Sequence, residues 1–385
     1  MQLRSIRPWG GDPVDVTVEG DRITAVTPAA GAGNPGLLAL HGFINTHAHV
    51  DKSWWGRPWV SYVGEDSTQG RIAHERRHRD ELGIPGVPVT ERVLREFLRH
   101  GTTAARTHLD VDLGVGLDSI HVAREAAAAL DGAIELEIVA FPQDGVIRRG
   151  GVLELLEQAA AEGADHIGGL DPCAIDRDPV AQLDGIFRVA DHHGCGLDIH
   201  LHSGGDLGAF EYELIIDRTR ALGMAGKVNI SHGFALGELD PAAQERILDG
   251  LAEQGITWST VAPVSSAPLP WREMLDRGIG IGLGTDGIRD LWSPYGDGDM
   301  LKIALAFARL HRVRHDEDFV TVAQLATSRA AGFVGREVHD IVPGARADLV
   351  LVDAENVPDA VVRTPARHTV IAGGRVVVAD GEPVI

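Results

Sequence analysis

From residue 42 to residue 286 the chain repeats one pattern: a short apolar run ending in a polar residue, then a longer stretch of helical periodicity. Such alternation predicts repeated βα units, because a helix returning the chain to its starting end makes successive strands parallel. Eight runs fit as strands: Gly42–His49, Thr102–Asp110, Leu136–Gln143, His166–Asp171, Leu197–His202, Val228–Gly233, Ile256–Pro263 and Ile279–Asp286. Segments such as DSIHVAREAAAAL, VLELLEQAAAEG and PAAQERILDGLAEQG lie between them, each ending near Gly or Asp as helices often do. Eight units predict a closed (β/α)8 TIM barrel within the α/β class rather than an open doubly wound sheet. The G-x-G-x-x-G and Walker-type loops that mark nucleotide-binding open sheets are absent from the sequence.

A barrel needs roughly 250 to 300 residues, and the chain has 385. The surplus is β-rich and lies at both ends. VDVTVEGDRITAV, from Val14 to Val26, alternates apolar and polar residues around Glu19-Gly20-Asp21, as a hairpin does. ADLVLVD (Ala347–Asp353) and HTVIAGGRVVVADGEPVI (from His368 onward) repeat the theme. The two ends are therefore expected to meet in one small β-sandwich made of residues 1–41 and 341–385, with the barrel, residues 42–340, inserted between them.

The formal charge of −21 argues against nucleic acid and acidic membranes as partners, since phosphate binding rests on clustered Lys and Arg. The basic run Arg71–Arg79 is interrupted by Glu75 and reads as a solvated helix face. No stretch has the apolar length of a membrane span, and Met1–Pro8 lacks the pattern of a secretory signal. Cys173 and Cys195 form no C-x-x-C pair and read as packing residues, so a reducing cytoplasm is the expected compartment. A homo-oligomer is compatible with all of this.

Metal-capable side chains fall at the C-terminal ends of the strands, the face on which barrel enzymes build their active sites. His47 and His49 are two apart on one strand and point the same way; His200 and His202 repeat that spacing on the fifth strand. His232 ends the sixth strand and Asp286 the eighth. Imidazole and carboxylate donors suit Zn, Fe, Mn or Co, and three or four of them leave a position open for water. Lys52, Gln143 and Asp171 flank these donors, and Trp54, Trp55 and Trp292 offer aromatic faces to a planar ring. His108 and Asp110 alternate on the second strand and are read as braces. No lysine ends the fourth strand, so a single ion is expected rather than a lysine-bridged pair.

The motifs THAHVDKSWW, RTHLDVD, IVAFPQDG, GGLDP, DIHLH, ISHG and GTDGIRDLWSPYGDGDM occur in this order. Together they resemble the cytosine deaminase-like branch of the amidohydrolase superfamily, especially its triazine-ring aminohydrolases, from about Gly42 onward. The resemblance implies His47, His49, His200 and Asp286 as ligands of one divalent ion, Zn or Fe, with His232 beside it. It places Lys52, Gln143, Asp171 and His202 along the substrate pocket, and Trp292 and Ser203 are counted with the substrate-contacting residues. Ser203 stands where cytosine deaminase has a catalytic glutamate. A serine cannot exchange protons at neutral pH as a carboxylate does, so that enzyme's mechanism cannot be transferred unchanged.

The implied reaction is hydrolytic removal of an amino or alkylamino group from a small N-heterocycle such as a pyrimidine or triazine. Water acidified toward pKa ~7 by the ion would attack a ring carbon. Asp286 would take its proton, His232 would stabilise the tetrahedral intermediate, and His202, with Lys52, would protonate the departing amine. Two alternatives remain at this stage: ring-opening hydrolysis of a cyclic amide, and a metal-holding binder without turnover.

Overall fold

The computed structural model describes residues 1–30 and 36–385. Eight parallel strands form the barrel in chain order: Phe43–His49, Thr102–Asp110, Glu135–Phe141, His166–Leu170, Gly196–Leu201, Val228–His232, Thr257–Thr260 and a broken eighth. The eighth consists of Ile281–Leu283, paired with the seventh, and Asp286–Gly287, paired with Ala48 and His49 of the first. That break closes the ring. Several strands stop short of their expected ends, so that Gln143, Asp171 and His202 lie just beyond the ladder, whereas His232 and Asp286 remain paired within it. Asp171 (φ 35°), His232 (φ 68°) and Asp286 (φ 60°) adopt left-handed backbone conformations. These are costly for a side chain with a Cβ and recur where function demands them.

Period-two alternation separates the two faces of each strand. Leu197, Ile199, Leu201, Val228 and Ile230 pack outward into the core shared with the helices. The intervening Asp198, His200, Asn229 and Ser231 are also buried; with Arg106, His108 and Asp110 they fill the barrel interior with polar groups. Buried polar groups ordinarily need partners; Asp198, Arg106, Asn229 and Ser231 supply them to one another, whereas both ring nitrogens of His108 and Nδ1 of His200 have none among the described residues.

The chain ends come together in one eight-stranded sheet. Strands Gln2–Pro8, Val14–Glu19, Arg22–Pro28 and Leu38–His41 supply one half, and Leu349–Val352, Arg367–Ala372, Arg375–Ala379 and Glu382–Pro383 the other. Leu38, Leu40, Val350 and Val352 face the barrel's core, while Ala39, Leu349 and Leu351 join Val16, Val18 and Ile23 in a second, separate core. Between sheet and barrel lies a buried histidine pair, His41 Nδ1 to His339 Nε2 at 2.9 Å. Arg336 donates to His339 Nδ1, so the proton of that ring sits on Nε2, which also reaches Gly42 O at 2.7 Å. Burial first, then neighbouring positive charge, lowers His41 to about 3 and His339 to about 2; both are neutral in the folded protein.

One expectation fails in part here. Thr68–His78 is a helix that keeps a solvated side at Gln69 and Arg77, but its other side is not solvated: His74 and Glu75 are buried, as is Arg79 just beyond it, and Arg79 pairs with Asp112 at 2.7 Å. The helix lies against the barrel mouth, where inward carboxylates neutralise a charge run that water would otherwise have to solvate.

Candidate active site

The ends of the first, second, fifth, sixth and eighth strands bring five imidazoles and a carboxylate together. His47, His49, His108 and His200 present nitrogens within 4.8 Å of one another, and so do His47, His232 and Asp286 through their ligand atoms. His49 Nε2 lies 3.4 Å from His200 Nε2 and 3.4 Å from Asp286 Oδ1; His47 Nε2 lies 3.6 Å from the same oxygen. Donors about 2.0 to 2.1 Å from one ion at a tetrahedral angle stand about 3.4 Å apart. Burial lowers His49 and His200 well below the usual histidine range, reinforced by Lys52 at His49 and by the crowding of the other imidazoles at His200. Against the pull of desolvation, Asp286, its side chain part-open to the cavity, is held well below the usual carboxylate range by the imidazoles of His47, His232 and His49 that face it. Neutral nitrogens and an ionised carboxylate are the protonation states a divalent cation requires, and the buried His47 Nε2 has no hydrogen-bond partner among the described residues. The donor set fits one divalent ion.

The proton positions below the cluster follow from elimination. Asp198, wholly buried, accepts from Ser231 Oγ at 2.6 Å, from Asn229 Nδ2 at 2.9 Å and from Arg106 Nη1 at 3.2 Å. Ionised, it can only accept; burial opposes that state, but His108 and Arg106 hold its carboxyl far below the usual range. The single Ser231 proton is thus spent on Asp198, and Ser231 must accept from His47 Nδ1, 2.9 Å away. His47 therefore turns a bare Nε2 toward Asp286. His108, read from the sequence as a brace, sits among the cluster nitrogens and is 3.2 Å from Asp198.

Above the cluster opens a cavity of about 510 Å³ lined by His49, Lys52, Gln143, His200, His202, His232, Asp286 and Trp292, among others. Lys52 Nζ donates to Asp110 Oδ1 and Gln143 Oε1, each at 2.6 Å, and Glu75 lies 3.9 Å off. Burial alone would depress this amine, but Asp110 and Glu75 outweigh it and hold Lys52 above its ordinary value. Gln143 Nε2 donates to Glu75 Oε2 at 2.6 Å, so its amide orients the lysine. Trp292 donates its indole N–H to the same Glu75 oxygen, which sets one wall.

Asp171 and Ser203 lie outside the cavity lining. Asp171 stands behind His202, accepting from its backbone N–H at 2.6 Å and meeting its Nδ1 at 3.0 Å. Burial pulls His202 down, yet the Asp171 hydrogen bond and charge prevail and raise it above the ordinary histidine value. Ser203 faces the buried Glu211, whose carboxyl burial pushes up. Trp54 is a core residue and Trp55 lies outside the lining, so Trp292 alone of the three proposed faces meets the cavity.

Sequence reasoning passed over Glu75, Asp198, Ser231 and Asp290. For Asp198 a signal existed: D-I-H-L-H puts Asp198, His200 and His202 on one strand face. His232 carries the opposite lesson. It shares parity with the outward Val228 and Ile230, and only its left-handed turn brings it inward. Gly233 follows because a Cβ there would stand 2.0 Å from the Trp258 ring.

A metal-binding barrel hydrolase is the class that this fold and donor set define. The profile of the amidohydrolase family matches residues 88–385, and the chain belongs to that family, whose members hydrolyse carbon–nitrogen bonds. It is 39% identical to the crystal structure of N-isopropylammelide isopropylaminohydrolase from Burkholderia multivorans, with a TM-score of 0.93 over 100% of this chain and 99% of that one. It is 27% identical to N-isopropylammelide isopropyl amidohydrolase of Pseudomonas sp. strain ADP, covering 95% of this chain and 94% of that protein. A third relative, the uncharacterized protein YahJ of Escherichia coli K12, is 30% identical over 92% of this chain and 77% of its own length. No helix among the described residues is long and apolar enough to cross a membrane.

Proposed function

We propose that this enzyme removes an amino or alkylamino group from a small N-heterocycle, with an alkylaminated oxo-triazine as the leading substrate. One observation carries the reading: neutral imidazoles and the Asp286 carboxylate converge at the floor of a cavity sized for one heterocycle, with proton-bearing side chains around it. Two relatives that cover nearly the whole chain are named for action on N-isopropylammelide, an alkylaminated oxo-triazine, and a 5-methylcytosine deaminase of 23% identity covers it as fully.

His47, His49, His200 and Asp286 would hold one divalent ion, Zn or Fe. Bound there, it supplies Lewis acidity and a water acidified toward pKa ~7. Asp286 opens into the cavity and takes a proton from the attacking water. His232, at the cavity floor, hydrogen-bonds the incoming oxygen and directs it at the ring carbon, while the electron pair displaced by the addition passes to the adjacent ring nitrogen until the amine departs. His202 carries the proton for the departing amine: its pairing with Asp171 favours the imidazolium, and it is the part-exposed imidazole of the cavity, 36% open. Lys52, fixed by Asp110 and Gln143, holds a ring oxygen or nitrogen of the substrate, and Trp292 packs beside it. Glu211 behind Ser203 is too deeply buried to replace the missing glutamate, so the proton duty passes to the His202–Asp171 pair. We place the enzyme in the cytoplasm, on its unpaired thiols.

The test is amine release from N-isopropylammelide, cytosine and pterin by protein loaded with Zn or Fe. Isopropylamine or ammonia appearing in step with substrate loss supports the reading. Ring opening without amine release, or no turnover of any compound by metal-replete protein, would replace it.

A further inference from the structure

The loop after the eighth strand carries a carboxyl group that the reaction above leaves unused. Asp290 lines the cavity and is 6% exposed. Its backbone is fastened on both sides: its N–H donates to Ser293 O at 3.0 Å, and its carbonyl accepts from Trp54 Nε1, also at 3.0 Å. In the side chain the two oxygens differ. Oδ1 accepts from the backbone N–H groups of Trp292 at 2.8 Å and Ser293 at 2.7 Å. Oδ2 has no donor among the described residues. It lies beneath Gly287, where an added Cβ would stand 1.6 Å from it. Glycine at 287 is what lets the carboxyl reach the cavity beside Asp286. Burial pushes this carboxyl up against the pull of the two backbone donors, which is the cost of an oxygen held there without a partner; a ring N–H donated to Oδ2 supplies that partner and favours the ionised, accepting form.

We propose that Asp290 is a substrate-binding residue whose Oδ2 accepts a ring N–H. With the cation of Lys52 on the same cavity, the site then offers an acceptor and a donor to one molecule. The substrate class this selects is a lactam-type heterocycle, carrying C=O and N–H on the ring, in preference to fully aminated or N-alkylated rings. The inference rests on the function proposed above and narrows its substrate.

Asp290→Asn gives a directed test. The two backbone N–H groups demand an oxygen, so the asparagine carbonyl takes the Oδ1 place and its NH2 enters the cavity, turning the acceptor into a donor. Metal content and Tm should stay at wild-type levels, while kcat/KM for N-isopropylammelide falls by at least ~100-fold, as expected when a buried polar pair is mismatched. A second arm changes the substrate instead. Methylating each ring nitrogen of N-isopropylammelide in turn should cost the wild type ~100-fold at one position, and the variant far less there. A folded, metal-bound variant within about threefold of wild type, or a wild type indifferent to methylation, overturns the assignment while leaving the proposed reaction intact. If the wild type turns over nothing, the reaction falls, and binding of N-isopropylammelide followed by tryptophan fluorescence decides Asp290. Equal affinity in both proteins, or no binding to wild type, then overturns it as well.

Discussion

Replacing Ser231 by alanine removes one hydroxyl from the barrel interior and should loosen the metal without unfolding the protein. In the wild type the chain Asp198–Ser231–His47 leaves His47 only one tautomer, with Nε2 bare. Without Ser231 the Nδ1 proton has no acceptor, and the ring gains by moving it to Nε2, which faces Asp286 Oδ1 at 3.6 Å. An Nε2–H cannot ligate, so binding an ion must first reverse that shift. The penalty is that of one buried donor left unpaired, about 1 to 3 kcal/mol. Expressed as affinity it is roughly 10- to 100-fold, the usual effect of losing a ligand's hydrogen-bond partner. Competition with a chromogenic chelator measures it directly. Ser231→Thr, which keeps the hydroxyl, should restore most of the affinity, and the metal-free Tm of all three proteins should agree within a few degrees. Unchanged Zn affinity in a folded Ser231→Ala protein would refute the tautomer argument, and equal loss in the threonine variant would show that packing, not the hydroxyl, matters.

The two histidines of the fifth strand should part company. His200→Ala is expected to lose metal and activity together, whereas His202→Gln should keep the ion and lose about 10²- to 10⁴-fold in kcat; metal analysis beside kinetics checks this, and loss of the ion from the His202 variant would put that ring among the ligands. Asp171 holds the His202 pKa above its usual ~6.5, so the protonated donor persists to higher pH; Asp171→Asn should move the basic limb of the kcat profile toward acid, and an unmoved limb would remove His202 from the proton path. His41 and His339, neutral in the fold with values of about 3 and 2, take up protons near 6.5 once unfolded. Their contribution to stability is present above that pH and declines as pH falls from about 6.5 toward the folded values. His339→Gln should lower the Tm at pH 7 yet flatten its fall between pH 6.5 and about 4; parallel Tm curves for variant and wild type would assign the acid sensitivity elsewhere.

The barrel was legible because its signal is local. Each strand is a run of a few residues whose alternation follows from backbone geometry, and the donors His47, His49, His200 and Asp286 stand at the ends of such runs. The pairing of the chain ends followed from the same hairpin patterns. Which side chain serves another was not legible, because it depends on distances between residues far apart in sequence. Ser231 meets His47 across 184 positions, and Trp292 meets Glu75 across 217. A charge run carries no mark of whether water or carboxylates will surround it, so the helix around Glu75 read as solvated until the fold brought Lys52 and Gln143 against it. Nor does strand parity foresee a left-handed turn: His232 reaches the cavity, and Asp290 finds room beneath Gly287, only because the closed barrel holds those loops where no local preference would set them.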